Sequence, residues 1–169
     1  MPKTDTAKLL VEQAVSQLRA VSAALAALRN EMQSLAASLP EYPVVMGMFG
    51  VGPALGPQLM AEIGDVRRFH SKKALVAFAG IDAPPYQSGQ MEVRSRSISK
   101  RGSSALRRTL FLVMSTILRR SPADEPVYQF MDKKRAEGKP YRVYMIASAN
   151  KFLRIYYATV KRHLDSLEA

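Results

Sequence analysis

Residues 86–102, YQSGQMEVRSRSISKRG, place Ser88, Ser95, Ser97 and Ser99 among Arg94, Arg96, Lys100 and Arg101, with Glu92 the only acid. A serine hydroxyl is a weak nucleophile, and it attacks phosphorus only with a base beside it or with dense positive charge around the phosphoryl oxygens. Arginines supply that charge and can clamp a phosphate with paired hydrogen bonds. Residue chemistry alone therefore leaves two readings, a basic loop that grips phosphates and a serine that attacks one, with the plainer grip first. Ser88 stands apart from the other serines because it follows the Pro84-Pro85 brace and precedes Gly89, where a bulky phosphate could approach closely.

A second candidate site is VVMGMFGVGPALGPQLMAEIGD, residues 44–65. Val45 and Met48 precede Gly50-Val51-Gly52, and Leu59, Met60 and Ile63 follow at helical spacing, the pattern of a helix-hairpin-helix. Gly50 and Gly52 would let bare amides approach a phosphate, and the N-terminus of the second helix would add its partial positive charge. Pro53 fits the first turn of that second helix. Such contacts read backbone, not sequence.

Other chemistry is scarce. Without cysteine there is no disulfide, thiolate metal site or cysteine nucleophile. His70 and His163 are isolated, and the carboxylates are scattered rather than set for a two-metal centre. No cofactor is expected in this chain.

Charge is divided along the chain. Residues 1–65 carry net −2, residues 66–162 net +15 and the last seven −2, within a total of +11. A basic half of this size points to a polyanionic partner, DNA first. No apolar run reaches the roughly 18 residues a membrane helix needs, and the cytoplasm, close to the nucleoid, is the expected location.

The elements that must hold these residues read as all-α. Val11, Ala14, Leu18, Val21, Leu25, Leu28, Met32, Leu35 and Leu39 alternate by three and four, one seam of a long helix. Thr4 or Asp5 could cap its start, and Pro40 and Pro43 end it. Its thin seam needs a partner, which could be a second copy of the chain, another helix of a longer parent protein or the chain's own domain. Self-association is expected, with residues 1–41 as a coiled-coil helix and 42–169 as a helical domain. Ser71 caps a helix that stops at Gly80, with Leu75, Val76 and Phe78 as core. The loop follows, with a weak alternation over Met91, Val93 and Ile98 suggesting a short β-ribbon. Ser103 or Ser104 then caps ALRRTLFLVMSTILRR, whose buried stripe is Leu106, Leu110, Val113 and Ile117. DEPVYQFMDKKRAE and a last helix from Pro140 to about Ser166 complete a bundle of three or four helices. Ile146, Ala149, Leu153, Tyr156, Val160 and Leu164 form the last helix's apolar face, and Lys151, Arg154, Lys161 and Arg162 a basic one.

The order MFGVGPALGPQLMAEIGD, RFHSKKALVAFAGI, YQSG, ISKRGSSALRRTLF and a closing helix resembles the C-terminal half of bacterial insertion-sequence transposases of the IS-110/116/902 type (transposase family 20), related to the pilin-inversion recombinases. The likeness covers residues 40–165, preceded by the family's coiled coil. It implies that Ser88, in a Tyr-x-Ser-Gly context, attacks a DNA phosphate and forms a phosphoserine link. Arg94, Arg96, Lys100 and Arg101, with Arg107 and Arg108 of the next helix, would lie against nucleic acid. It further implies a guide RNA, active sites assembled between subunits, and a RuvC-like amino-terminal half whose carboxylates bind magnesium. That half has no counterpart here, so the chain alone is expected to bind nucleic acid without recombining it. Two alternatives stay open: a helix-hairpin-helix module or transposase remnant that binds without chemistry, and a coiled-coil adaptor.

Overall fold

The computed structural model describes residues 5–83, 87–88, 91–92 and 97–168, the four strand residues among them by backbone alone. Seven α-helices appear among these: α1 (Asp5–Ala37), α2 (Tyr42–Met46), α3 (Leu55–Ile63), α4 (Lys72–Ala79), α5 (Ser104–Arg120), α6 (Pro126–Ala136) and α7 (Tyr141–Leu167). The all-α expectation holds, with one two-residue ribbon, β1 (Gln87–Ser88) against β2 (Met91–Glu92).

Helix α7 is the axis of the bundle and packs on α2, α4, α5 and α6, while α3 lies on α5. The α5 stripe expected from its spacing, Leu106, Leu110, Val113 and Ile117, is fully buried. Each such side chain contributes about 1.5–3 kcal/mol by leaving water. On α7 the face is rotated by one residue at its start: Met145 is buried, whereas Ile146 is half-buried and lines a groove. Tyr156 enters the core near the buried Glu41, and burial, with a smaller push from that carboxylate, raises its phenol above the ordinary value.

Helix ends follow local chemistry. The Ser71 and Ser103 hydroxyls accept from the amides of Ala74 and Leu106, and Glu125 accepts from Tyr128. Gly80 stops α4 in the left-handed conformation, φ 64°. Two details differ from the sequence reading. Helix α3 begins at Leu55, so Pro53 lies in the preceding turn, and Pro57 occupies the first turn, where its missing N–H leaves no ladder bond unmade. Pro43 opens α2 rather than only ending α1.

Helix α1 rises about 50 Å at 1.5 Å per residue. Only Ala36 of its residues is buried, where its end meets α2 and α3. Of the heptad seam Met32 is half-buried and the leucines and valines are exposed, Leu18 by 67% and Leu28 by 68%, and Leu39 falls past the helix end. No helix among the described residues is long and apolar enough to cross a membrane.

Candidate nucleic-acid interface

The basic loop is an excursion whose two ends are zipped together. Leaving α4, the Phe78, Gly80 and Asp82 carbonyls accept from the amides of Ser103 (2.7 Å), Lys100 (3.0 Å) and Ser99 (2.9 Å) respectively. Ser99 Oγ also donates to Asp82 Oδ1 at 2.5 Å. Arg107, one turn into α5, donates from Nη1 to the carbonyls of Ala79 (3.0 Å) and Gly102 (3.1 Å), stapling both ends. Residues 82 and 99 thus meet at one point, and the ribbon that carries Ser88 lies between them in the chain.

Two glycines make the clamp possible. At Gly102 a Cβ would fall 1.8 Å from the Phe78 carbonyl oxygen, so the strands approach closer than any side chain allows. At Gly80 the left-handed backbone turns the chain, and a Cβ there would meet Arg107 Nη1 at 2.7 Å. Lys100, between them, also takes a left-handed backbone, φ 55°, unusual for a lysine. Below the clamp, Ser103 Oγ donates to Glu62 Oε2 at 3.0 Å, tying α3 to the start of α5, where a carboxylate also meets the helix dipole favourably.

The Gly-x-Gly turn splits its glycines between two tasks. Gly50, at φ 82°, lies so close on α5 that a Cβ would meet Ile117 Cγ1 at 2.7 Å and the Val113 carbonyl at 3.2 Å. Gly52 faces open space, and its carbonyl accepts the Gly56 amide at 2.8 Å. The turn walls a hollow of about 360 Å³ closed on its far side by Thr116 and Arg120. Arg120 lies in the last turn of α5, where a cation suits the helix C-terminus. Its meeting with the glycine turn depends on how α2 and α3 lie on α5.

The candidate residues divide by place. Ser88 is in β1, paired with Met91 of β2. Arg94, Arg96 and Ser95 lie outside the described residues, as does Val93 of the expected ribbon alternation. Lys100, Arg101 and Arg108 are exposed, whereas Arg107 is half-buried in the clamp. Ser97 is exposed, and Ser99 has its hydroxyl committed to Asp82. His163 contacts the Pro40 carbonyl through Nε2 at 3.0 Å. Among the described residues no three His, Asp or Glu side chains converge in a way that could hold a metal ion.

Comparison with known proteins matches these elements to one family. Residues 42–129, from α2 into α6, match the family model for the "Transposase IS116/IS110/IS902 family". The chain is 31% identical over 135 residues to the pilin gene-inverting protein of Moraxella bovis, covering 79% of this chain and 38% of that protein. It is 24% identical over 153 residues to a probable family 20 transposase of Pseudomonas aeruginosa, covering 90% and 45%. The transposase for insertion sequence element IS1111A of Coxiella burnetii is 29% identical over 133 residues, covering 79% and 36%. The chain therefore matches between 36% and 45% of the length of these relatives. The matched region holds the glycine turn, the clamp, the ribbon and α5 together, and on it the chain belongs to the IS116/IS110/IS902 transposase family.

Proposed function

We propose that this chain is the serine-bearing, nucleic-acid-gripping part of a transposase or site-specific recombinase. The observation that carries this is the clamp, which closes the base of a loop bearing Ser88 and four cations and fixes it to the bundle. A loop held in this way can present one hydroxyl and surrounding positive charge to a phosphate without ordering the whole excursion anew. In this role Ser88 is the nucleophile, and Arg94, Arg96, Lys100, Arg101 and Arg108 hold phosphate oxygens. Arg107 serves first as the staple beneath them. The Gly50–Gly52 turn and Arg120 form a second phosphate contact, in line with the helix-hairpin-helix reading.

DNA is the substrate in this proposal, and a guide RNA is the second nucleic acid the family resemblance implies. Magnesium, which the family resemblance assigns to carboxylates of a RuvC-like half, finds no fitting donor cluster among the described residues.

Binding to duplex DNA should fall steeply with salt. Each phosphate neutralised contributes about −0.9 to the slope of log affinity against log salt, so the five loop and α5 cations predict a slope of roughly −4 to −5. Arg108→Gln should bring that slope about one unit closer to zero. A wild-type slope near zero, read by fluorescence anisotropy, would remove the phosphate grip and leave the adaptor reading.

Two copies joined through α1 complete the proposal. From Val11 to Leu28 nothing within the described residues buries its seam, and a helix of this length presents several heptads for a partner helix. Sedimentation equilibrium should show a dimer that Leu18→Lys with Leu25→Lys converts to monomer. A wild-type chain that is monomeric across the accessible concentration range would refute self-association by this route.

A further inference from the structure

Beside the clamp lies a groove of about 720 Å³, within the size range of sites that take small organic groups, roughly 300–1,000 Å³. Its floor is apolar: Ile81 and Ile98 from the two ends of the loop, Ile146 and Ala147 from α7, and the ring of Phe130 from α6. Lys100, Arg142, Lys151 and Arg154 bring cations to its lining, and among the described residues no acidic residue lines it. Val143, Ile146, Ala147, Asn150 and Arg154 recur at three- and four-residue spacing, so one face of α7 forms a whole wall. Lys151 Nζ stands 5.0 Å from the Phe130 ring centre, so a cation and an aromatic face already adjoin there.

An apolar floor with cations in its lining suits a ligand with a flat apolar body and anionic flanks. We propose that this groove accepts one unpaired nucleotide of a DNA or RNA strand, its base over Ile98, Ile146 and Phe130 and its flanking phosphates on Lys100, Arg142 and Arg154. Asn150 and Ser97 offer donors and acceptors to the base edge. The inference rests on the nucleic-acid reading above and deepens it, because it adds readout of an unstacked base to a grip on phosphates. Charge also argues against the loop's own residues 84–96 as the occupant. They bring Arg94 and Arg96 against a single Glu92, and so would add positive charge to a cationic lining.

Lys100 supplies an independent sign of a functional demand. Its left-handed backbone is a conformation that glycine takes freely and lysine rarely does, yet the position carries a cation lining the groove. Lys100→Gly should therefore leave the melting temperature unchanged or raised while weakening strand binding.

The test compares a fluorescein-labelled thymidylate strand of about 12 nucleotides with an abasic strand of equal phosphate number, using the whole chain. The base-bearing strand should bind tighter by roughly tenfold or more, since stacking of a base contributes at that level. Val143→Glu, at a position 49% exposed on the groove wall, should erase the preference without changing the melting temperature. A uridylate strand run beside them tells whether DNA or RNA is the better source of the nucleotide. Equal binding of base-bearing and abasic strands overturns the groove while sparing the phosphate grip. Failure of both to bind overturns the nucleic-acid reading as well.

Discussion

Gly102→Ala should lower the thermal midpoint by on the order of 10 °C. The added methyl would stand 1.8 Å from the Phe78 carbonyl oxygen and 2.7 Å from the Gly80 amide nitrogen. Neither obstacle can swing aside as a flexible side chain would. The Phe78 oxygen holds the Ser103 amide, and the Gly80 amide closes the end of α4 on Ala77. Relief means parting the two chain segments, with loss of the Ser103, Lys100 and Arg107 bonds that join them. Overpacking a tight contact costs about 1–3 kcal/mol, and the broken clamp takes the sum to the upper end. For a domain of this size each kcal/mol lowers the midpoint by roughly 2–4 °C. Gly52→Ala is the matched control, because a Cβ there meets nothing within 4 Å, and it should melt within a degree or two of the wild type. Equal midpoints for the two variants, read by circular dichroism, would show that the clamp does not hold the loop base.

The clamp also explains what the sequence could and could not disclose. Ser71 and Gly80 marked helix ends correctly, and Ser103 was one of two candidate caps, because capping is settled within a few residues of the chain. Arg107 and Arg108 show the opposite case. They are the same residue type side by side, and no local pattern separates them. One step along a helix turns the side chain by about 100°, and that rotation sends Arg107 into the clamp and leaves Arg108 in solvent. The same one-residue rotation exchanges Met145 and Ile146 between core and groove.

The groove itself was not readable, since its walls come from four stretches of chain that meet only when α6 and α7 close on the loop base. Nor was the clamp, built largely of backbone bonds that leave no side-chain signature except their glycines. The segments FAGI and SKRG, which carry the family resemblance, turn out to be its two halves. Their likeness to the family thus reports first on how the loop is held, and only through that on what the loop does.

Ser88→Ala should abolish covalent attachment to DNA, the largest loss expected of any single change. The test uses a protein that joins this chain to the amino-terminal half of a family member, because the family resemblance implies that the proposed chemistry draws on carboxylates of that half. In the proposed step Ser88 Oγ forms a bond to phosphorus as the bond from phosphorus to one sugar oxygen breaks. The serine proton passes to a base, and the released sugar oxygen takes up a proton. Alanine removes the only atom that can form the link, so adduct yield should fall by several orders of magnitude, to background. Folding should not confuse the result, since a serine-to-alanine change in a two-residue ribbon removes one hydroxyl and should leave the melting temperature within about 2 °C. Ser99→Ala separates the two serines of the loop that the structure distinguishes. It removes the bond to Asp82 at the clamp, costing about 1 kcal/mol of stability, yet should still form the adduct. A Ser88→Ala protein that forms the adduct would end the nucleophile assignment. An adduct formed by the isolated chain would instead end the division of labour, because the serine would then need nothing beyond the loop and its cations.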